Sequence, residues 1–445
     1  MHRTLLDKLV NWKTQPDRMP LLLDGARQVG KSYLLEHLFG RHHFKKVIKL
    51  DFLANPSFAD FFADSKNPQD ILARLQISQG IDFEPTTDLL LLDEIGECQQ
   101  AMDSLKFFQE QRPDIFVCAS GSNIGLLDSF PVGKVQELRL YPFSFEEFVI
   151  AHNNPHLSAA FQAGMRSDVI HQALWPLLLD YYFVGGMPKA VATWIKGDQS
   201  KVNALAAKVR RIQQDLINGY IRDFGKFTNS KSTAMHIERI FRNIPIQLSR
   251  EIDGSVNRYQ FSNIIPKKNG YQDLQGPIEY LVKARLASKN YTVEGTVHSP
   301  LSTLISQSRF KLFLLDVGLL HCMLELNYQE IKLQHFDFKG YMAENFVQNE
   351  ALTLGLNHTY SWKSQRMAEL EFLFKRPDGE IIPVEVKSGK RTQAKSLSIY
   401  IQKYQPKTAY KFTANIGGFR DDILQTQPLY YARFHLNQLI NANDE

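Results

Sequence analysis

The chain has 445 residues, 44% hydrophobic and 22% charged, an ordinary globular balance that at roughly 150 residues per domain suggests about three domains. Collagen-like, low-complexity and disulfide-stapled classes are excluded, the last because only Cys98, Cys118 and Cys322 occur, without metal-ligand spacing. The net charge of +5 is uneven: residues 201–289 carry 16 basic and 7 acidic side chains, a net of +9, and the remainder sums to −4.

The opening MHRTLLDKLVNWK is broken by charges and lacks the apolar core of a signal peptide. No run of about 18 apolar residues occurs. A cytoplasmic protein without a membrane span is expected, its cysteines reduced and buried.

Residues 1–150 alternate short apolar runs with amphipathic stretches. The runs PLLLD, KVIKLDF, DLLLLDE, DIFVCAS and KVQELRL predict buried parallel strands of an α/β sheet. Residues 25–32 read GARQVGKS, a Walker A pattern between the strand MPLLLD and the amphipathic SYLLEHLF. Gly25, Ala26, Arg27, Gln28, Val29 and Gly30 would form a loop whose backbone N–H groups face phosphate, at a helix N-terminus that adds partial positive charge. Lys31 would reach the β- and γ-phosphates of ATP, and the Ser32 hydroxyl would sit on Mg²⁺. LLLLDE ends in Asp93 and Glu94 at the C-terminal end of its strand, where open α/β sheets bind ligands. Asp93 is expected to hold Mg²⁺ through water, and Glu94 to polarise the attacking water. KVIKLDF falls between the two motifs, as in P-loop ATPases whose Walker strands are separated by a third. After the next strand come Ser120, Ser122 and Asn123, candidate γ-phosphate sensors or plain turn residues. Lys134 is a candidate for acting in trans in a homo-oligomer, or a solvated lysine.

Residues 151–230 read as helical, interrupted by the turn Gly185-Gly186-Met187-Pro188 before Lys189. In 231–334, the helical patterns AMHIERIFRNIPIQL and GPIEYLVKARLASK precede YTVEG, and helices ending in a short hairpin suggest a winged helix. Arg239, Arg242, Arg250, Arg258, Lys267, Lys268, Lys283 and Arg285 are candidate contacts to DNA phosphates, sequence-independent and salt-sensitive. A solvated basic face is the plain alternative.

Residues 335–445 open with a helix bearing Glu344, continue through HTYSWKS, AELEFLFKR and EIIPVEVKS, and add the helical AKSLSIYIQKY and the strand AYKFTA. This αβββαβ order resembles the core of the PD-(D/E)XK nuclease fold. Strand alternation places Glu369 and Glu371 on one face, and Glu385 and Lys387 likewise, with Leu370, Phe372, Val384 and Val386 on the packed face. Glu344, Glu371 and Glu385 are candidate ligands to a divalent ion, and Lys387 would orient the attacking water. A fold kept after loss of cutting, with Lys387 paired to the acids, is the alternative.

LLLDGARQVGKS, LLLLDEIGE, ASGS, SFPVGKV, LYPFSFEEF, YYFVGGMPKA, RFKLFLLDVGLL, GYMAENFVQNE and IIPVEVKSG together resemble a family of prokaryotic AAA-type ATPases with a C-terminal region of unknown function. The resemblance implies an AAA-type core at 1–150, a helical lid at 151–230, a winged-helix-like middle at 231–334 and a restriction-endonuclease-like α/β domain at 335–445. It also implies ATP binding. Relatives carry Arg or Lys at the Lys134 position and commonly Asp at the Glu371 position. The expected protein is an Mg²⁺-dependent ATPase whose nucleotide state reaches C-terminal domains that engage DNA. An ATP-regulated endonuclease, and a slow nucleotide switch for a protein partner, remain open beside it.

Overall fold

The computed structural model describes residues 1–127, 129–226, 228, 230–250, 258–333, 340–364, 368–389, 395–418 and 423–441. They form two units, one of residues 1–141 with 283–285 and one of 142–282 with 286–445.

The first unit holds the five expected strands: β1 (Leu21–Asp24), β2 (Val47–Asp51), β3 (Leu89–Asp93), β4 (Phe116–Gly121) and β5 (Gln136–Arg139). They lie in the order β2-β3-β4-β1-β5, all parallel. The Walker strands β1 and β3 are thus separated by β4. Leu21–Leu23 and Leu89–Leu92 have no exposure, because helices cover both faces of the sheet and leave no wet side to alternate with. Leu22, Leu90, Leu92, Val117 and Ala119 pack with Ile71, Met102, Leu105 and Phe108. Each fully buried large aliphatic side chain contributes about 1.5–3 kcal/mol. Since every strand runs the same way, the loops after β1, β3 and β4 open side by side on one sheet edge.

The second unit combines helices with a seven-stranded sheet. Its strands are β6 (Ala287–Glu294), β7 (Ile305–Leu314), β8 (Thr359–Lys363), β9 (Glu369–Lys375), β10 (Ile381–Val386), β11 (Ala409–Thr413) and β12 (Leu424–Pro428), in the order β12-β11-β10-β9-β8-β6-β7. The helix Gly340–Thr353 precedes β8, and Lys395–Tyr404 joins β10 to β11, giving the αβββαβ order anticipated for the C-terminal segment. β8, β9 and β10 pair antiparallel, whereas β10, β11 and β12 are parallel.

A division at 334/335 does not separate two sheets. The hairpin expected to close a winged helix is β6–β7. It is joined to the C-terminal strands, with Asn290 opposite Thr359 in parallel pairing. β6 is an interior strand: Asn290 and Val293 have no exposure, and the Asn290 amide donates to the Glu371 carbonyl at 3.0 Å. A free wing would leave one of those faces wet.

The region expected as a lid contains the helices Pro155–Gln162, Asp168–Val184, Pro188–Lys196 and Val202–Phe224. Its Gly185–Gly186 turn packs within the second unit. The Gly186 N–H donates to Asp316 Oδ2 at 2.6 Å, and its carbonyl accepts from Phe143 N at 2.7 Å. A Cβ at Gly185 would lie 2.2 Å from Asp316 Oδ1, so the carboxylate's approach dictates glycine there. Burial pushes the Asp316 carboxyl up to about 6. Lys189, after this turn, is exposed.

Candidate nucleotide site and a carboxylate cluster

The loop after β1 carries the Walker A residues. Gly30 has φ 98°, a left-handed conformation open to glycine at little cost, and the helical turns Lys31–Tyr33, Leu34–Gly40 and Arg41–His43 follow without a break. The middle segment is π-helical, a feature frequent near functional sites. Ala26 and Val29 are buried and anchor the loop, Gln28 is exposed, and the Val29 carbonyl accepts from the Arg3 guanidinium at 3.2 Å.

Lys31 is only 5% exposed, and its Nζ donates to the Gly25 carbonyl at 2.9 Å, the Ala26 carbonyl at 3.0 Å and Ser122 Oγ at 2.9 Å. Burial lowers the affinity of this ammonium for its proton, while Glu94, Asp24 and Asp93 act in the opposite direction. Ser32 Oγ donates to Asp93 Oδ1 at 2.8 Å, so the two expected Mg²⁺ contacts meet. The Ser120 hydroxyl donates to the same oxygen. The Ser122 N–H donates to Glu94 Oε2 at 3.3 Å. Ser120 thus braces Asp93, and Ser122 links the two Walker motifs by touching both Lys31 and Glu94.

Three non-glycine residues at this edge have left-handed backbone: Gln28 (φ 65°), Glu94 (φ 51°) and Asn123 (φ 61°). They stand in the loops after β1, β3 and β4, the three adjacent central strands. For Gln28 and Glu94 this costs roughly 1–2 kcal/mol, whereas asparagine tolerates it better, and strain of this kind gathers where side chains must be aimed. The nearly unexposed Asp24 faces Arg285 Nε at 2.8 Å and Arg139 Nε at 3.5 Å. Arg285 is thereby engaged within the first unit. Lys134, considered for a role in trans, pairs with Glu110 at 2.8 Å.

Sequence reasoning missed Lys49. It projects from β2, with Nζ 2.8 Å from Asp93 Oδ2, 3.3 Å from Asp51 Oδ2 and 3.6 Å from Glu36 Oε2. A lysine and an aspartate two positions apart in the otherwise apolar VIKLD was the available signal.

In the second unit, Lys387 Nζ lies 3.2 Å from Glu371 Oε1 and 3.1 Å from Glu385 Oε1. The Val386 N–H donates to Glu371 Oε2 at 3.0 Å. Glu344 is met instead by Lys311 of β7 at 2.7 Å, a second lysine the sequence reading overlooked. Burial pushes Glu385 up to about 7 and also raises Glu344. Glu369 pairs with Lys363, while Leu370, Phe372, Val384 and Val386 are buried as expected. Among the described residues, no group of three or more His, Cys, Asp and Glu side chains is arranged to hold a metal ion. Two ammoniums face the three carboxylates, and no hydrolytic step is assigned to them.

Of the basic residues in 201–289, Arg239, Arg242, Arg250, Arg258, Lys267 and Lys283 are exposed and Lys268 is half-buried. Arg242 pairs with Glu238 at 2.8 Å. Lys289 is buried against Glu279 and the Phe310 ring.

Comparison with known proteins agrees with this geometry at the level of class. Residues 17–149 match a family model described as an AAA domain. Residues 176–330 and 339–430 match two separate domains of unknown function. Comparison with curated proteins found no match. A structure of PCH-2 from C. elegans is similar at 11% identity and a TM-score of 0.28, covering 46% of this chain and 67% of that one. The Hsp104–ADP complex of S. cerevisiae is similar at 12% identity and a TM-score of 0.27, covering 79% of this chain and 43% of that one. These two likenesses are too distant to carry a functional argument. The sheet order, the Walker loops and the family match make the first unit an AAA-type P-loop domain of the ATP-binding and ATP-hydrolysing class. No helix among the described residues is long and apolar enough to cross a membrane.

Proposed function

We propose that the chain hydrolyses ATP with Mg²⁺ in its first unit and couples the nucleotide state to a second unit that engages DNA. The observation that carries the first half is the meeting of Ser32, Asp93, Lys31, Ser122 and Glu94 through direct contacts. Ser32 Oγ and Asp93 are hard oxygen donors, the type Mg²⁺ takes. These two residues would hold the ion, which would supply positive charge against the phosphates. Lys31 would bind the β- and γ-phosphates from within a buried loop, where an ammonium acts through a low local dielectric. Glu94 would accept the proton of the attacking water, held in place by the Ser122 N–H.

Phosphate release from ATP is the direct test. Release is expected with Mg²⁺ and none in excess EDTA. Failure of the intact chain to release phosphate under any divalent ion would remove the hydrolytic reading.

The DNA half is supported by the exposed cations and by the αβββαβ order of the C-terminal strands, which is similar to that of nucleic-acid-processing folds. Phosphate contacts release counterions, so affinity for duplex DNA should fall with a slope of about −0.9 per phosphate contacted on a log–log salt plot. The double variant Lys267→Ala/Lys268→Ala is expected to weaken binding equally for unrelated sequences and to flatten that slope by about 1–2. A slope near zero for the unaltered chain would favour a protein partner instead.

A further inference from the structure

Both oxygens of the Asp93 carboxylate are engaged. Oδ1 accepts the hydroxyls of Ser32 and Ser120, and Oδ2 is held by the Lys49 ammonium at 2.8 Å. The Asp93 side chain is only 2% exposed, so little water competes for Oδ2. Lys49 is different: its side chain is 28% exposed, and two further carboxylates lie within its reach. Asp51, on the same strand, is 3.3 Å away, and Glu36, on the π-helical segment after the Walker loop, is 3.6 Å away. Both are partly exposed, at 29% and 21%. The ammonium can pass from Asp93 to these acceptors with little displacement and without losing a counter-charge.

We propose that Lys49 is a resident counter-cation that occupies Asp93 and must transfer to Asp51 and Glu36 before Asp93 can support a divalent ion. The proposal rests on the nucleotide reading above and adds a control on it. A lysine and a doubly charged ion repel each other strongly at a common carboxylate. Metal affinity is therefore set by a competition whose second arm is the Asp51–Glu36 pair. Lys49 is in this sense a positioning residue: it acts on the metal through Asp93 and through its own departure. In its resident position it also keeps the nearly unexposed Asp93 compensated, sparing the protein an unpaired buried charge.

The quantity that reports this competition is the metal's contribution to ATP affinity: the ATP Kd in EDTA divided by that in Mg²⁺, measured by calorimetry on the full chain. Lys49→Met keeps the unbranched stem of the side chain and removes its charged end, and should raise this ratio about tenfold while leaving the Kd in EDTA within about threefold. The pair Glu36→Gln/Asp51→Asn should lower the ratio about tenfold, because the departing ammonium then has no acceptor. Adding Lys49→Met to that pair should restore the ratio to at least the unaltered value, which a mere loss of negative charge near the metal would not allow. An unchanged or lower ratio in Lys49→Met overturns the proposal. If Lys49→Met does not fold, the Glu36→Gln/Asp51→Asn pair decides alone, and an unchanged ratio there overturns it as well. ATP binding absent from the unaltered chain in both buffers would overturn the nucleotide reading and this proposal together; intact binding with an unresponsive ratio overturns only the role of Lys49.

Discussion

Glu94→Gln is expected to leave ATP affinity within about threefold of the unaltered chain and to lower turnover by about 10²–10⁴-fold, the range a positioned general base contributes. Glutamine keeps a carbonyl oxygen where Glu94 Oε2 accepts the Ser122 N–H. Its backbone tolerates the left-handed φ of 51° about as well as glutamate does, so loop geometry should survive. What glutamine lacks is basicity. Lys31, Ser32 and Asp93 are untouched, so binding and chemistry separate cleanly: calorimetry reports the first and phosphate release the second. If Glu94→Gln released phosphate at the unaltered rate, another group would be the base, and the contact between Ser122 and Glu94 would have to be reinterpreted as structural. The variant should also hold ATP long enough to capture whatever partner binds the nucleotide-loaded form.

The parts of this site that could be read from sequence are those whose chemistry is local. GARQVGKS is contiguous and sits between a strand and a helix, so its residues meet wherever the rest of the chain goes. Asp93 and Glu94 are fixed by the end of a fully apolar strand, and in a parallel sheet every such end faces the same edge. Lys49 was hidden because its role depends on β2 pairing beside β3 with Asp51 opposite Asp93, a register that no local pattern encodes. Lys311 was hidden for the same reason: its partner Glu344 is 33 residues away on a helix. The continuous sheet of the second unit likewise depends on β6 choosing β8 as its neighbour. Hairpin signals describe adjacent strands only, so β6–β7 looked like a free wing. Asp316 shows the converse. It and Gly185–Gly186 both lie in quoted sequence motifs, but only the three-dimensional contact explains why the two motifs occur together.

Lys31→Ala should reduce ATP affinity at least 100-fold, the largest binding effect expected from a single change at this site. The ammonium is buried and bound to two loop carbonyls and Ser122, within the loop that would receive the phosphates. Alanine removes the buried positive charge of that loop and leaves the half-buried Arg27 and the backbone N–H dipoles to face a highly charged anion. The fold itself should tolerate the change, because the desolvation that lowers the affinity of Lys31 for its proton is relieved when the charge is deleted. Thermal unfolding separates these effects. Saturation at about 100 times Kd stabilises a binding-competent protein by about 2.7 kcal/mol, which for a unit of this size is a shift of about 5–10 °C. The unaltered chain should show that shift with Mg-ATP. Lys31→Ala should melt close to the unaltered nucleotide-free temperature and shift by no more than about 1–2 °C at the same ATP concentration. A Lys31→Ala protein that still shifted by several degrees would place the phosphates elsewhere, and would take from Ser32 and Asp93 the role assigned to them here.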